Sequence, residues 1–93
     1  MRMKFNESVK KNSGSLEQSF GKVISGLRKA MGLSQEEIGF RSGYHRTYIS
    51  QIERGVKSPS LRTIFSLAKA LDIKPYELIK RVQCDDFQAS GKE

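Results

Sequence analysis

Two glycines, Gly43 and Gly55, bracket the stretch Tyr44-His45-Arg46-Thr47-Tyr48-Ile49-Ser50-Gln51-Ile52-Glu53-Arg54, whose polar and apolar members separate cleanly when wound as a helix. At about 100° per residue, Ile49, Ile52 and Glu53 fall on one side, and Thr47, Ser50, Gln51 and Arg54 on the other. Arg46 stands at the N-terminal edge of the second group. One face is built to pack and the other to be offered.

The offered face carries hydroxyls, an amide and guanidiniums, the groups that hydrogen-bond base edges in the major groove and grip phosphates. We read it as the recognition helix of a DNA-binding protein. A plain solvated helix face has a similar composition, so the neighbouring segments and the charge balance must decide between the two.

The chain has 93 residues and a net charge of +7. Residues 1–15 contribute +3 and residues 84–93 contribute −2, leaving +6 on the middle of the chain. That asymmetry is an electrostatic footprint for a polyanion. Ninety-three residues suit one small domain, in which every amphipathic helix must feed a single core.

No apolar run approaches the roughly 20 residues that span a bilayer, and Met1-Arg2-Met3-Lys4-Phe5 is not followed by a signal-peptide core. The single Cys84 has no internal disulfide partner, which fits a reducing, cytoplasmic setting, and the absence of a resolving thiol favours an inert role for it. Paired carboxylates, Cys/His or Ser/His/Asp arrangements, a phosphate-cradling glycine loop and a metal-ligand cluster are all missing. The expectation is a protein that is no enzyme and needs no metal, cofactor or small-molecule ligand.

Taken in order, residues 1–14 show no sustained period and are expected to form a flexible basic arm. Its Arg2, Lys4, Lys10 and Lys11 could reach phosphates or a minor groove. A first helix is predicted to start at the capping box Ser15-Leu16-Glu17-Gln18 and stop at Gly32, with Phe20, Val23, Ile24, Leu27 and Met31 as its inner stripe. Gly21 and Gly26 weaken it locally, and one or the other is expected to permit a close approach by another helix.

The second helix opens on another capping box, Ser34-Gln35-Glu36-Glu37, and ends at Gly43. Gln35 lies in its first turn, where free N–H groups and the helix dipole favour a phosphate. Gly43-Tyr44-His45 then has the length and glycine content of a helix-turn-helix connection, with His45 capping the third helix. As the sole histidine, without ligand-spaced neighbours, it reads as a turn residue.

After a loop over residues 56–60, Ser60 caps a fourth helix predicted over residues 61–71, with Leu61, Ile64, Leu67, Ala68 and Leu71 facing inward. Pro75 starts a fifth helix in its first turn, where the missing N–H costs nothing. Tyr76, Leu78, Ile79 and Val82 leave that helix apolar on more than one side, which suggests a partner. Phe65, Leu78, Ile79 and Val82 are therefore the expected homodimer interface, with Phe87 reaching across. The domain is expected to span 15–82, followed by a flexible acidic tail over 83–93.

The strings Gly32-Leu33-Ser34-Gln35-Glu36-Glu37-Ile38-Gly39 and Tyr48-Ile49-Ser50-Gln51-Ile52-Glu53-Arg54-Gly55 resemble the phage repressor and Cro type helix-turn-helix family, also called the xenobiotic-response-element family. The likeness covers about residues 17–82. The run from His45 to Ser50 followed by Glu53-Arg54-Gly55, in a chain of this size, looks most like the controller proteins of restriction-modification systems.

The resemblance implies an all-α, five-helix, lambda-repressor-like fold and a transcriptional regulator that binds a double-stranded DNA operator as a homodimer. By the same resemblance, Arg46, Thr47, Ser50 and Gln51 occupy base-reading positions, and Gln35 a phosphate contact. Tyr48, Arg54 and Lys57 look like phosphate or shape contacts. Arg28 and Glu53 match the family's ion pair between the first and third helices, in agreement with the position of Glu53 on the packing side. Gly39 stands where relatives usually have alanine, and is expected to loosen the second helix. An alternative of the same fold is an antitoxin that binds a toxin protein and autoregulates its operon. Activation would require an RNA polymerase contact, for which no residue pattern identifies a surface.

Overall fold

Each of the first four helices begins at a side chain that accepts a hydrogen bond from the helix's own first turn. Ser15 Oγ accepts from Gln18 N–H at 3.1 Å while Gln18 Oε1 accepts from Ser15 N–H at 3.2 Å. Ser34 and Glu37 repeat this reciprocal box at 3.0 and 2.8 Å. His45 Nδ1 accepts from Thr47 N–H at 3.0 Å, and Ser60 Oγ from Thr63 N–H at 3.1 Å. Donors that a helix start leaves orphaned are thus satisfied at the places that the sequence marked.

This computed structural model describes residues 15–90, with side chains to residue 86. Among the described residues there are five helices and no strand: α1 Leu16–Ala30, α2 Gln35–Ser42, α3 Arg46–Glu53, α4 Leu61–Ala70 and α5 Pro75–Ser90. The arm expected over residues 1–14 and the side chain of Phe87 lie outside that range.

α1 ends two residues before the glycine expected to stop it. Gly32 takes a left-handed φ of 72°, and its N–H bonds Lys29 O while Leu33 N–H bonds Arg28 O, closing the last turn. α4 closes the same way with Asp72 at φ 57°, Ile73 N–H reaching Ala68 O at 3.0 Å.

Packing α1 on α3 and α5, α2 on α3 and α4, and α4 on α5 creates one core. It contains Phe20, Ile24, Ile38, Ile49, Ile52, Leu67, Ala68, Ala70, Leu71, Leu78 and Val82. Val23, Leu27 and Ile64 pack at its edge. Met31 and Leu61 are exposed instead. One follows the last turn of α1 and the other opens α4, so both lie past the ends of the stripes to which spacing assigned them.

Two further expectations are corrected here. Leu78 and Val82 are 0% and 5% exposed, because α5 is gripped by both α1 and α4 and that grip consumes its i, i+4 stripe. They belong to the core of this chain and leave Phe65 and Ile79 as the exposed members of the proposed interface. The tail expected from residue 83 is helical to Ser90. No glycine or proline interrupts the segment after Pro75, and Asp85 pairs with Lys22 of α1 at 3.4 Å.

Gly39 has a tighter duty than its expected loosening of α2. A Cβ there would sit 2.5 Å from the Tyr44 carbonyl oxygen, so the missing side chain lets α2 lie against the turn before α3. Gly21 does the same for α1, where a Cβ would strike the Ile52 and Glu53 carbonyls.

Candidate nucleic-acid interface

α3 is held from behind over its second half. Ile49 and Ile52 are fully buried, Gly21 brings α1 onto its last carbonyls, and Glu53 anchors its end. The Glu53 carboxylate accepts from Arg28 Nε at 2.7 Å and Nη2 at 3.0 Å, a bidentate fork. Gln35 Nε2 donates to the same carboxylate at 2.9 Å, and Arg28 Nη1 donates to Leu33 O at 2.8 Å.

Only 11% of the Arg28 side chain and 6% of the Glu53 side chain are exposed. The hydrogen bond that Arg28 donates to Glu53 raises the Arg28 pKa above its ordinary value, more than burial lowers it. One pair therefore joins α1, α2 and α3 and keeps a carboxylate away from the side that would meet an anion.

The opposite side of α3 presents Arg46 and Thr47 exposed, with Ser50 and Gln51 half-buried beside them. Arg54 and Lys57 continue the exposed surface past the end of the helix. Arg54 Nε lies 3.4 Å from Ser50 Oγ, a long donor contact that orients the guanidinium along the same face. The four residues expected to read bases thus share one face, flanked by two cations.

Two of the expected contacts are placed differently from the rest. Gln35 is at the first position of α2, but one amide hydrogen is committed to Glu53, leaving its second amide hydrogen and its backbone N–H for a phosphate. Tyr48 is half-buried; its hydroxyl is bonded to Thr63 Oγ1 at 3.2 Å and its ring is tilted against Tyr44 at 4.9 Å. That geometry suits a contact by the ring edge better than a phosphate bond from the hydroxyl.

Thr63 itself was not singled out by the sequence. Its Oγ1 meets the Tyr44 hydroxyl at 3.1 Å and Ser60 Oγ at 2.9 Å as well. The Ser60-x-x-Thr63 spacing marks a helix start, whereas nothing in the local pattern links it to tyrosines more than a dozen residues earlier. Among the described residues, no group of three or more His, Cys, Asp or Glu side chains could hold a metal ion, and no helix is long and apolar enough to cross a membrane.

Two short helices joined by a left-handed glycine turn, the second buried on one side and polar and basic on the other, define a helix-turn-helix DNA-binding unit. The helix-turn-helix family model matches residues 24–78, and the chain belongs to that family. Within it the relatives include control proteins of restriction-modification systems. The control protein C.BamHI of Bacillus amyloliquefaciens is 41% identical over 64% of this chain and 75% of its own length. The crystal structure of the restriction-modification controller protein C.AhdI from Aeromonas hydrophila matches with 48% identity and a TM-score of 0.65, over 67% of this chain and 94% of that one. The controller protein C.Esp1396I, solved as a tetramer in complex with its natural 35-base-pair operator, matches with 25% identity and a TM-score of 0.72, over 77% and 95% of the two chains.

Proposed function

We propose that this protein is a cytoplasmic, sequence-specific transcriptional regulator that acts as a homodimer on a near-palindromic DNA operator, as a restriction-modification controller. The observation that carries the reading is the outer face of α3. Arg46, Thr47, Ser50 and Gln51 are presented together there while Glu53 is turned inward onto Arg28. Arg46 takes guanine O6 and N7, the commonest bidentate pairing. Gln35, Arg54 and Lys57 contact phosphates, and Tyr48 contributes through its ring.

The dimer surface lies on α4 and α5, where Phe65 is 55% and Ile79 43% exposed, with Leu61 and Tyr76 exposed on the same two helices. A two-fold pairing would place the recognition helices about 34–36 Å apart, one helical turn of DNA. The relatives described above are control proteins, one of them solved on its operator, and this favours the regulator over the antitoxin alternative.

The test is selection of bound duplexes from a random-sequence pool, with binding of the variants Arg46→Ala and Lys57→Ala to the selected site. Enrichment of a palindrome with one-turn spacing is expected. Arg46→Ala should cost about 1–3 kcal/mol and relax preference at one base pair, whereas Lys57→Ala should weaken all sequences alike and reduce the salt slope by about 1. A pool that returns unenriched, or an Arg46→Ala protein that loses affinity equally on selected and random DNA, refutes the reading.

A further inference from the structure

We infer that Thr63, on α4 and away from the reading face, is a positioning residue for DNA specificity, acting through a hydroxyl hub that locks the N-terminal turn of α3 and the loop carrying Lys57 into one register. The inference rests on the regulator reading above. Thr63 is 3% exposed, and its Oγ1 lies within hydrogen-bonding distance of three other hydroxyls: Ser60 at 2.9 Å, Tyr44 at 3.1 Å and Tyr48 at 3.2 Å.

A threonine hydroxyl has one hydrogen to give and two lone pairs to receive with, so three partners saturate it. It can donate to only one of them, and the other two must donate to it. At least one of the two tyrosine protons is therefore committed to Thr63. Nothing else on α4 offers such a junction, and a hydrophobic residue of the same shape would fill the space without making it.

What the hub joins gives it a consequence for binding. Tyr44 lies in the turn before α3 and Tyr48 in its first turn, on either side of Arg46 and Thr47. Fixing both phenols to α4 fixes the rotation of the turn that presents those two side chains. The third spoke, Ser60, closes the loop after α3 and caps α4 through Thr63 N–H at 3.1 Å. The start of that loop is pinned separately, Gly55 N–H on Ile52 O and Val56 N–H on Gln51 O, both at 3.1 Å.

Lys57 is thereby carried on a segment tied at both ends, one end running back to the residues that flank Arg46. Base-reading groups and a phosphate-binding cation share a frame whose centre is a single oxygen. Productive recognition needs its groups held to about 0.5 Å, so loosening this frame degrades base discrimination before it degrades attraction to phosphates.

The experiment compares affinities for the selected operator and for random duplex across a salt series, on wild type, Thr63→Val, Thr63→Ser and Tyr44→Phe, each below its own melting temperature. Thr63→Val keeps the shape and removes the hydroxyl; Tyr44→Phe removes one spoke at a half-buried position that makes no proposed DNA contact. We expect Thr63→Val to lower the operator-to-random affinity ratio about tenfold, the scale of one mismatched base pair, and Tyr44→Phe to lower it in the same direction. Random-DNA affinity and its salt slope should stay unchanged, and Thr63→Ser should restore the ratio.

A folded Thr63→Val protein that melts earlier yet keeps the wild-type ratio overturns the inference and leaves the residue merely structural. If Thr63→Val does not fold, an unchanged ratio in Tyr44→Phe overturns it and a lowered one supports it. A wild-type protein with no preference for any sequence would overturn the regulator reading and the inference together, whereas discrimination that survives in the variants overturns the inference alone.

Discussion

Replacing Glu53 by glutamine keeps the shape of the side chain and exchanges one acceptor oxygen for a donor. In the native protein Oε2 receives Arg28 Nε at 2.7 Å, and Oε1 receives both Arg28 Nη2 at 3.0 Å and Gln35 Nε2 at 2.9 Å. Whichever way the amide turns, its NH2 faces at least one of those donors, and the charge that balanced Arg28 is gone. Arg28 keeps the carbonyl of Leu33 at 2.8 Å and is otherwise a cation almost out of reach of water.

Removing one member of a buried pair costs about 3–5 kcal/mol, because the survivor stays buried and uncompensated. A domain of this size holds about 4–11 kcal/mol in all, so Glu53→Gln should be close to unfolding. At about 4–8 °C per kcal/mol the melting temperature should fall by roughly 12 °C or more. Urea and thermal denaturation followed by far-ultraviolet circular dichroism measure this directly. Exchanging both partners for apolar residues, Arg28→Met with Glu53→Leu, should recover much of the loss, since neither charge then remains to be desolvated. A Glu53→Gln protein within about 1 kcal/mol of wild type would mean that the pair behaves like a solvated one, and the argument from burial would be wrong.

Two glycines of α1 should respond with opposite signs. Gly21→Ala drives a methyl into the Ile52 and Glu53 carbonyls and should destabilise by about 1–3 kcal/mol, whereas Gly26→Ala meets nothing within 4 Å and should stabilise by about 0.5–1 kcal/mol; changes of the same sign in the two denaturation curves would contradict the packing. The backbone N–H of Ser34, seconded by its hydroxyl, holds the Glu37 carboxyl below the usual glutamate range. A depressed value in the folded state contributes stability above the unfolded pKa and loses it as pH falls through the folded one. An NMR titration should therefore show Glu37 protonating below the ordinary glutamate value as the start of α2 loosens, and a midpoint at or above the ordinary value would rule out the box in solution. Ile79→Asp should leave the fold intact and yield monomers by sedimentation, while Leu78→Asp places an unpaired charge in the core and should prevent folding; a folded Leu78→Asp monomer would return that residue to the interface.

Much of the fold was legible because it rests on local chemistry. A serine with its reciprocal partner three residues on marks the start of α1 and of α2, and the left-handed glycine at Gly43 marks the turn between α2 and α3. The segregation of Ile49 and Ile52 from Thr47, Ser50 and Gln51 needs only the helical period, and it already divides a packing face from an offered one. Even the partner of Glu53 could be named from the resemblance, since a charge on a packing face demands a counter-charge.

What remained hidden depends on which faces the bundle consumes. Leu78, Ile79 and Val82 are equally apolar in the sequence, and only the grip of α1 and α4 on α5 makes two of them core and leaves the third outside. The helix beyond Val82 makes a contact between Lys22 and Asp85, sixty-odd residues apart, that no local rule contains. Thr63 reads as one more residue of a helix's first turn until the tertiary fold brings two tyrosines to its hydroxyl. The sequence by itself thus determined where the helices begin and the polar face of α3, because these are set by interactions within a turn or two of the chain. Tertiary structure alone decided which apolar residues stay exposed and which hydroxyls meet at Thr63, because burial and long-range hydrogen bonds are properties of the packed whole.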